Sequence, residues 1–108
     1  MQLQVKGRNL EVSETILRFA EHKLRKLDRQ VGEETRIELE LSVERNPSIA
    51  ANQVAEATIF TKGPNLRARA ASADMRAAID SLCDKLARQV KEHREKLAQR
   101  HRTPTERA

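Results

Sequence analysis

The sequence predicts an α+β domain, a two-layer sandwich in which two helices cover one face of a four-stranded sheet. Four short stretches alternate apolar and polar side chains, which is the period of strands with one buried face. Two longer stretches repeat apolar residues every three or four positions and predict amphipathic helices. Their order along the 108 residues is β-α-β-β-β-α. Two amphipathic helices can bury the apolar face of one sheet, so a single small domain follows.

The first half of the chain predicts two strands and one helix. Residues 2–8 alternate and predict the first strand. Ser13 is a suitable N-cap for the following helix, whose apolar positions recur at helical spacing as far as Leu27. Residues 36–45 alternate most cleanly, with glutamates between aliphatic side chains, and predict the second strand. The turn signal Asn46-Pro47-Ser48 ends that strand.

The second half predicts two more strands and a long helix. Residues 53–61 and 66–70 alternate, and the Lys62-Gly63-Pro64-Asn65 turn separates them. Ser72 or Asp74 is expected to cap the last helix, which should run to about residue 100. Its apolar stripe consists of Met75, Ile79, Leu82, Leu86, Val90, His93 and Leu97.

Proline and threonine near the C-terminus predict the end of the ordered domain. Thr103-Pro104-Thr105 follows the last helical repeat and is expected to stop the helix. We therefore predict a domain over residues 1–101, and a disordered tail or the start of a linker over residues 102–108.

Positive charge is concentrated in the last helix. The chain has a formal net charge of +5, and residues 85–107 hold eight Lys or Arg against three Glu. The first helix, residues 16–29, adds five basic residues against two acidic ones, whereas residues 33–56 hold six Glu against two Arg. The helical layer is therefore expected to be positive and the open sheet face negative around its second strand. A polyanion should dock on the helices or along their edge.

The composition limits the kind of binding and the compartment. Two phenylalanines are the only aromatic residues, whereas proteins that read unstacked bases stack them on aromatic rings. Nucleic-acid binding is therefore expected to use phosphates and shape. The single cysteine suits a reducing compartment, and no apolar run approaches the roughly 20 residues of a membrane span. We expect a cytoplasmic protein with no membrane partner.

No group of residues predicts catalysis or a cofactor. The three glycines form no phosphate-binding loop, and the histidines have no zinc-site spacing with Cys83. His93 is expected to be a partly buried structural side chain, and Cys83 a small buried one. Asp74 is expected to cap the helix, and Asp80 to pair with a nearby cation such as Arg76 or a cationic neighbour of Asp84. We predict no enzyme, no metal, no cofactor and no small-molecule substrate.

Five segments, in the same order, match the motifs of one family. Asp74-Met75, followed by Ala77-Ala78-Ile79-Asp80, looks like that family's signature start of the last helix. The chain resembles the ribosome hibernation promoting factor family, the ribosome-associated translation inhibitors once labelled sigma-54 modulation proteins. The matching segments are residues 7–10, 23–27, 54–59, 74–80 and 85–89.

The resemblance implies binding to the small ribosomal subunit and its rRNA, in the channel that mRNA and tRNA use. It implies inhibition of translation in idle or stressed cells, without catalysis. Arg76 stands where the family usually has a tyrosine, and it is a candidate for an additional phosphate contact. If the chain is part of a long form, a second domain or a homodimer partner is implied. The rRNA-binding residues carried over by position are Lys23, Arg25, Lys26, Lys85, Arg88, Lys91 and Arg94.

Two other functions remain open from the residues alone. The β-α-β-β-β-α order resembles double-stranded RNA-binding domains with an added element, so a general double-stranded nucleic-acid-binding module is one alternative. A protein-interaction regulator of transcription, which the old family label suggests, is the other. Competition between ribosomes and excess duplex RNA separates the first alternative from ribosome binding.

Overall fold

The order of elements in the computed structural model is β-α-β-β-β-α over the residues that it describes, 1–46, 48 and 50–106, without the side chains of 100–106. The predicted α+β sandwich is confirmed. Pro47 of the predicted break and residues 107–108 of the predicted tail lie outside the described residues. The elements are β1 (Gln2–Gly7), α1 (Glu14–Leu24) with a 3-10 turn (Arg25–Leu27), β2 (Arg36–Val43), β3 (Gln53–Phe60), β4 (Leu66–Ser72) and α2 (Met75–Glu106).

The four strands form one mixed sheet in the order β1-β2-β3-β4. β1 and β2 run parallel, and the other neighbouring pairs are antiparallel. The parallel pair needs a crossover, which α1 supplies. The register places Val5 opposite Leu39, Leu39 opposite Ala57, and Ala57 opposite Ala68. Apolar residues of all four strands therefore lie in rows on the face that the helices cover.

The core lies between this face and the two helices. Ile79, Leu82 and Leu86 of α2 are fully buried, as are Ala20 and Leu24 of α1. Burying one such aliphatic side chain stabilises the fold by about 1.5–3 kcal/mol. Since the chain has no Trp or Tyr, these aliphatic contacts carry most of the stability.

Side-chain caps start both helices where the sequence predicts. The Ser13 hydroxyl accepts a hydrogen bond from the Ile16 N–H at 3.2 Å. The Asp74 carboxylate accepts from the Ala77 N–H at 3.1 Å, so Asp74 rather than Ser72 caps α2. The predicted end of α2 near residue 100 is wrong, because the helical backbone continues to Glu106. A proline removes only one backbone donor, so a helix can continue across it at a local cost.

The geometry of the turn after β1 explains why glycine and asparagine stand at positions 7 and 9 of the family-like segment 7–10. A Cβ atom at Gly7 would lie 1.8 Å from the Leu10 carbonyl oxygen. Asn9 has φ 52°, a left-handed conformation that asparagine tolerates better than most residues. Close backbone approach therefore requires glycine at position 7.

Candidate nucleic-acid interface

Four cations of α2 follow one another around the outward half of the helix. Lys85, Arg88, Lys91 and Arg94 are three residues apart, so each is turned by about 60° from the previous one and lies about 4.5 Å further along. All four are exposed, whereas Leu86 on the opposite side is fully buried. The series therefore turns from the β4 side of α2 towards the side on which Asp80 lies, while each step carries it further along the helix.

The side chain of Lys85 lies at the free edge of the sheet and forms a hydrogen bond there. Its ammonium donates a hydrogen bond to the Arg69 carbonyl of β4 at 2.8 Å. One helical turn later, the Gln89 amide donates to the Arg67 carbonyl. β4 is an edge strand, and unpaired carbonyls on such an edge invite pairing with another strand. Sequence reasoning missed this role; the i, i+4 spacing of Lys85 and Gln89 was the only signal of it.

The side chain of Lys23 extends from α1 to α2, where it forms an ion pair with Asp80. Its Nζ is 2.8 Å from the Asp80 Oδ1, and the two side chains are 26% and 55% exposed. The hydrogen bond and charge of Asp80 raise the pKa of Lys23, and those of Lys23 lower the pKa of Asp80. Both groups are therefore charged at neutral pH. The predicted ion pair of Asp80 exists, but its partner is Lys23 of α1 and not Arg76 or a cationic neighbour of Asp84.

Arg76 packs on an aromatic ring instead. Its guanidinium carbon lies 5.8 Å from the ring centroid of Phe19 in α1, and the Lys23 ammonium lies 5.6 Å from the same centroid. Cations near an aromatic face are attracted by the quadrupole of the ring. Phe19 is half-buried, so its ring joins the two helices and orders both cations.

The 3-10 turn at the end of α1 holds the two remaining predicted cations. Leu27 is buried and fixes this turn on the core, which leaves Arg25 and Lys26 exposed. The Arg25 guanidinium lies 4.0 Å from the Glu21 carboxylate on the previous turn. Lys26, after Lys23, also contributes to the lowered pKa of Asp80. Lys26 therefore belongs electrostatically to the junction between the helices.

The structure thus brings most of the predicted cations onto one surface. Two predicted cations are not part of this surface. Lys85 lies on the side of α2 that faces β4, and Arg25 lies near Glu21 on the previous turn. We use the term helical surface for the exposed or half-buried cations at the α1–α2 junction and along α2. Its members are Lys23, Lys26, Arg76, Arg88, Lys91 and Arg94.

The open face of the sheet carries both signs of charge. The register places Lys6, Glu40, Glu56 and Arg69 in one row across the four strands. Lys6 lies 3.7 Å from the Glu40 carboxylate, and Arg69 lies 3.0 Å from that of Glu44. Glutamates surround β2 on this face, as expected. Cations of β1 and β4 flank them, so the open face as a whole is mixed in sign.

Packing explains the histidine and cysteine candidates. His93 is half-buried, as predicted, whereas Cys83, which was expected to be buried, is also only half-buried. Burial raises the pKa of the Cys83 thiol to about 11, so it is protonated and poorly nucleophilic at neutral pH. Over the part of the chain that the structure describes, no three His, Cys, Asp or Glu residues could hold a metal ion together, and no helix is long and apolar enough to cross a membrane.

Comparison with known proteins decides the family. The family model described as Sigma 54 modulation protein / S30EA ribosomal protein matches residues 3–98. The chain belongs to this family. The resemblance seen in five segments is therefore confirmed over nearly the whole domain.

Individual relatives agree with this assignment. A protein from Escherichia coli (strain K12) named ribosome hibernation promoting factor is 36% identical over 99 residues, which cover 92% of this chain and 99% of that protein. The solved N-terminal domain of Thermus thermophilus Protein Y matches with a TM-score of 0.71 and 34% identity, over 86% of this chain and 99% of that domain. A ribosomal subunit interface protein from Coxiella burnetii shares the fold, with a TM-score of 0.75 and 20% identity over 88% and 99%.

Proposed function

We propose that this protein is a cytoplasmic hibernation factor that binds the small ribosomal subunit in the channel used by mRNA and tRNA. Bound there, it holds idle or stressed ribosomes in an inactive state. Family membership and the relatives named ribosome hibernation promoting factor support ribosome binding rather than general duplex binding or transcriptional regulation. The observation that carries the proposal is the concentration of exposed cations on the helical surface.

In the proposed complex, cations that the helices hold in position contact phosphates of the rRNA. Arg88 and Lys91 are exposed on α2 and turned by about 60° from each other, so they can reach different phosphates of a folded RNA. A guanidinium or an ammonium bonds a phosphate strongly but without regard to sequence. Selectivity must therefore come from the fit of the domain to a folded rRNA cleft.

Inhibition by this protein would be steric. A rigid two-layer domain in the channel excludes mRNA and tRNA by its volume, and no bond has to be made or broken. We therefore expect no catalysis, no cofactor and no small-molecule substrate. A second domain or a homodimer partner would be needed only for pairing two ribosomes.

Translation in vitro, combined with a competition assay, tests the proposal. The purified protein should inhibit translation and sediment with small ribosomal subunits. Excess duplex RNA should not displace it, because a duplex offers phosphates but not the cleft. Transfer of the protein to the duplex, or undiminished translation at saturating protein, would contradict the proposal.

A further inference from the structure

The helical surface contains a carboxylate at its centre. Asp80 is exposed, and its Oδ1 lies 2.8 Å from the ammonium of Lys23. Lys26 of the 3-10 turn is close enough for its charge to act on Asp80. Arg76 lies one turn before Asp80 on α2, near the Phe19 ring that Lys23 also approaches. A phosphate that approaches Lys23 therefore also approaches a negative charge at hydrogen-bond distance from the same ammonium.

Lys23 differs in this respect from the outer cations. Arg88 and Lys91 form no ion pair with another described residue, and both are exposed. The Lys23 side chain is only 26% exposed and lies against the Phe19 ring. Its ammonium is therefore held at Asp80 from two sides, whereas the outer cations can meet any phosphate.

We infer that Asp80 is a specificity-determining residue that withholds Lys23 from RNA which touches only part of the helical surface. An ion pair with one well-exposed partner, such as Asp80 at 55% exposure, is screened by water and can still open. An rRNA cleft that contacts Lys26, Arg88 and Lys91 together can offset the free-energy cost of opening the Lys23–Asp80 ion pair. An isolated duplex contacts fewer of these cations and cannot offset that cost. The ribosomal half of this inference rests on the proposed function.

The salt dependence of binding to duplex RNA of arbitrary sequence tests the inference without ribosomes. Each phosphate contact adds about 0.9 to the slope of log affinity against log salt. Asp80→Asn keeps the shape of the side chain and frees Lys23, so binding should tighten severalfold and the slope should steepen by about 0.9. Lys23→Gln alone should leave the slope unchanged. Lys23→Gln combined with Asp80→Asn should restore the wild-type slope.

Asp84→Asn is the matched control. Asp84 lies one turn further along α2, is exposed, and forms no ion pair with another described residue. Its charge acts on Lys23 only weakly and at longer range, so it does not hold the ammonium. This variant changes the net charge by the same amount and should keep the wild-type slope. Circular dichroism should show all variants folded, since Asp80 and Asp84 are both exposed.

Three results would overturn the inference. They are Asp80→Asn binding no tighter than wild type, an unchanged slope in that variant, and an equal rise in Asp84→Asn. Failure of the wild-type protein to sediment with small subunits would instead contradict the proposed function and leave the duplex result standing.

Discussion

The ammonium of Lys85 in α2 donates a hydrogen bond to the carbonyl oxygen of Arg69 in β4, 2.8 Å away. This contact and the neighbouring one from Gln89 to Arg67 fasten the long helix to the free edge of the sheet. Lys85 is also one of the residues that family resemblance assigns to rRNA. An ammonium has three donors, so the contact with Arg69 leaves two of them for a phosphate.

Removing both contacts from the β4 edge should destabilise the fold and open that edge. For Lys85→Ala with Gln89→Ala we expect a loss of about 1–3 kcal/mol in the free energy of unfolding, measured with urea. Sedimentation should show self-association, because the exposed strand edge can pair with another chain. The control is Arg88→Ala with Lys91→Ala, which should remain monomeric and within about 0.5 kcal/mol of wild type. Equal unfolding midpoints for the two double variants would contradict the structural role of Lys85.

Gly7 should not tolerate a side chain. In Gly7→Ala the new methyl would lie 1.8 Å from the Leu10 carbonyl oxygen, so the turn after β1 must shift. We expect a loss of about 2 kcal/mol or more in the free energy of unfolding. Gly32→Ala is the control, since its nearest atom, the Thr35 hydroxyl oxygen, would be 4.0 Å away. A Gly32→Ala variant as unstable as Gly7→Ala would show that close approach is not the cause.

Burial along the α2 stripe should set the cost of truncation. Leu86 is fully buried and Leu97 is 42% exposed, although both belong to the predicted stripe. Leu86→Ala should cost about 2–5 kcal/mol, because it leaves a cavity. Leu97→Ala should cost less than about 1 kcal/mol. Chemical denaturation of the two variants compares them directly, and similar losses would mean that the helix is packed against the sheet over its whole length.

The Cys83 thiol should make stability depend on pH in the alkaline range. Its pKa is raised from 9.0 to about 11 in the folded chain, so the unfolded chain loses this proton first. The stabilisation is present below pH 9 and is lost as the pH rises towards 11. The difference in unfolding free energy between wild type and Cys83→Ala should shrink by about 1–2 kcal/mol over this range, because partial exposure weakens the effect. A difference that stays constant with pH would exclude this titration.

The same burial should protect the thiol from alkylation. At neutral pH almost no thiolate exists at a site with a pKa of about 11. Iodoacetamide should therefore label Cys83 slowly in the folded protein and much faster in urea. Equal labelling rates in the two conditions would show that Cys83 is not held in the core.

Local patterns in the sequence were sufficient to predict the elements and the buried face. Alternation in residues 36–45 and the cap at Asp74 depend on neighbours within one strand or one helical turn, so they can be seen in the sequence. Family resemblance supplied the candidate binding residues. Periodicity shows which side of an element is polar, but not what lies opposite. The partner of Asp80, the acceptor of Lys85 and the cations on the open sheet face therefore needed the structure.

Equilibrium binding of charge-reversed variants to purified small ribosomal subunits tests whether the protein binds the ribosome through the helical surface. Arg88→Glu with Lys91→Glu lowers the net charge from +5 to +1 and reverses two cations of the helical surface. Lys6→Glu with Lys62→Glu makes the same change in net charge away from that surface. The first variant should lose at least about a hundredfold in affinity, since each charge-assisted phosphate bond contributes about 1.5–3 kcal/mol. The second variant should bind nearly as wild type. Equal binding by the two variants would contradict binding of the ribosome through the helical surface.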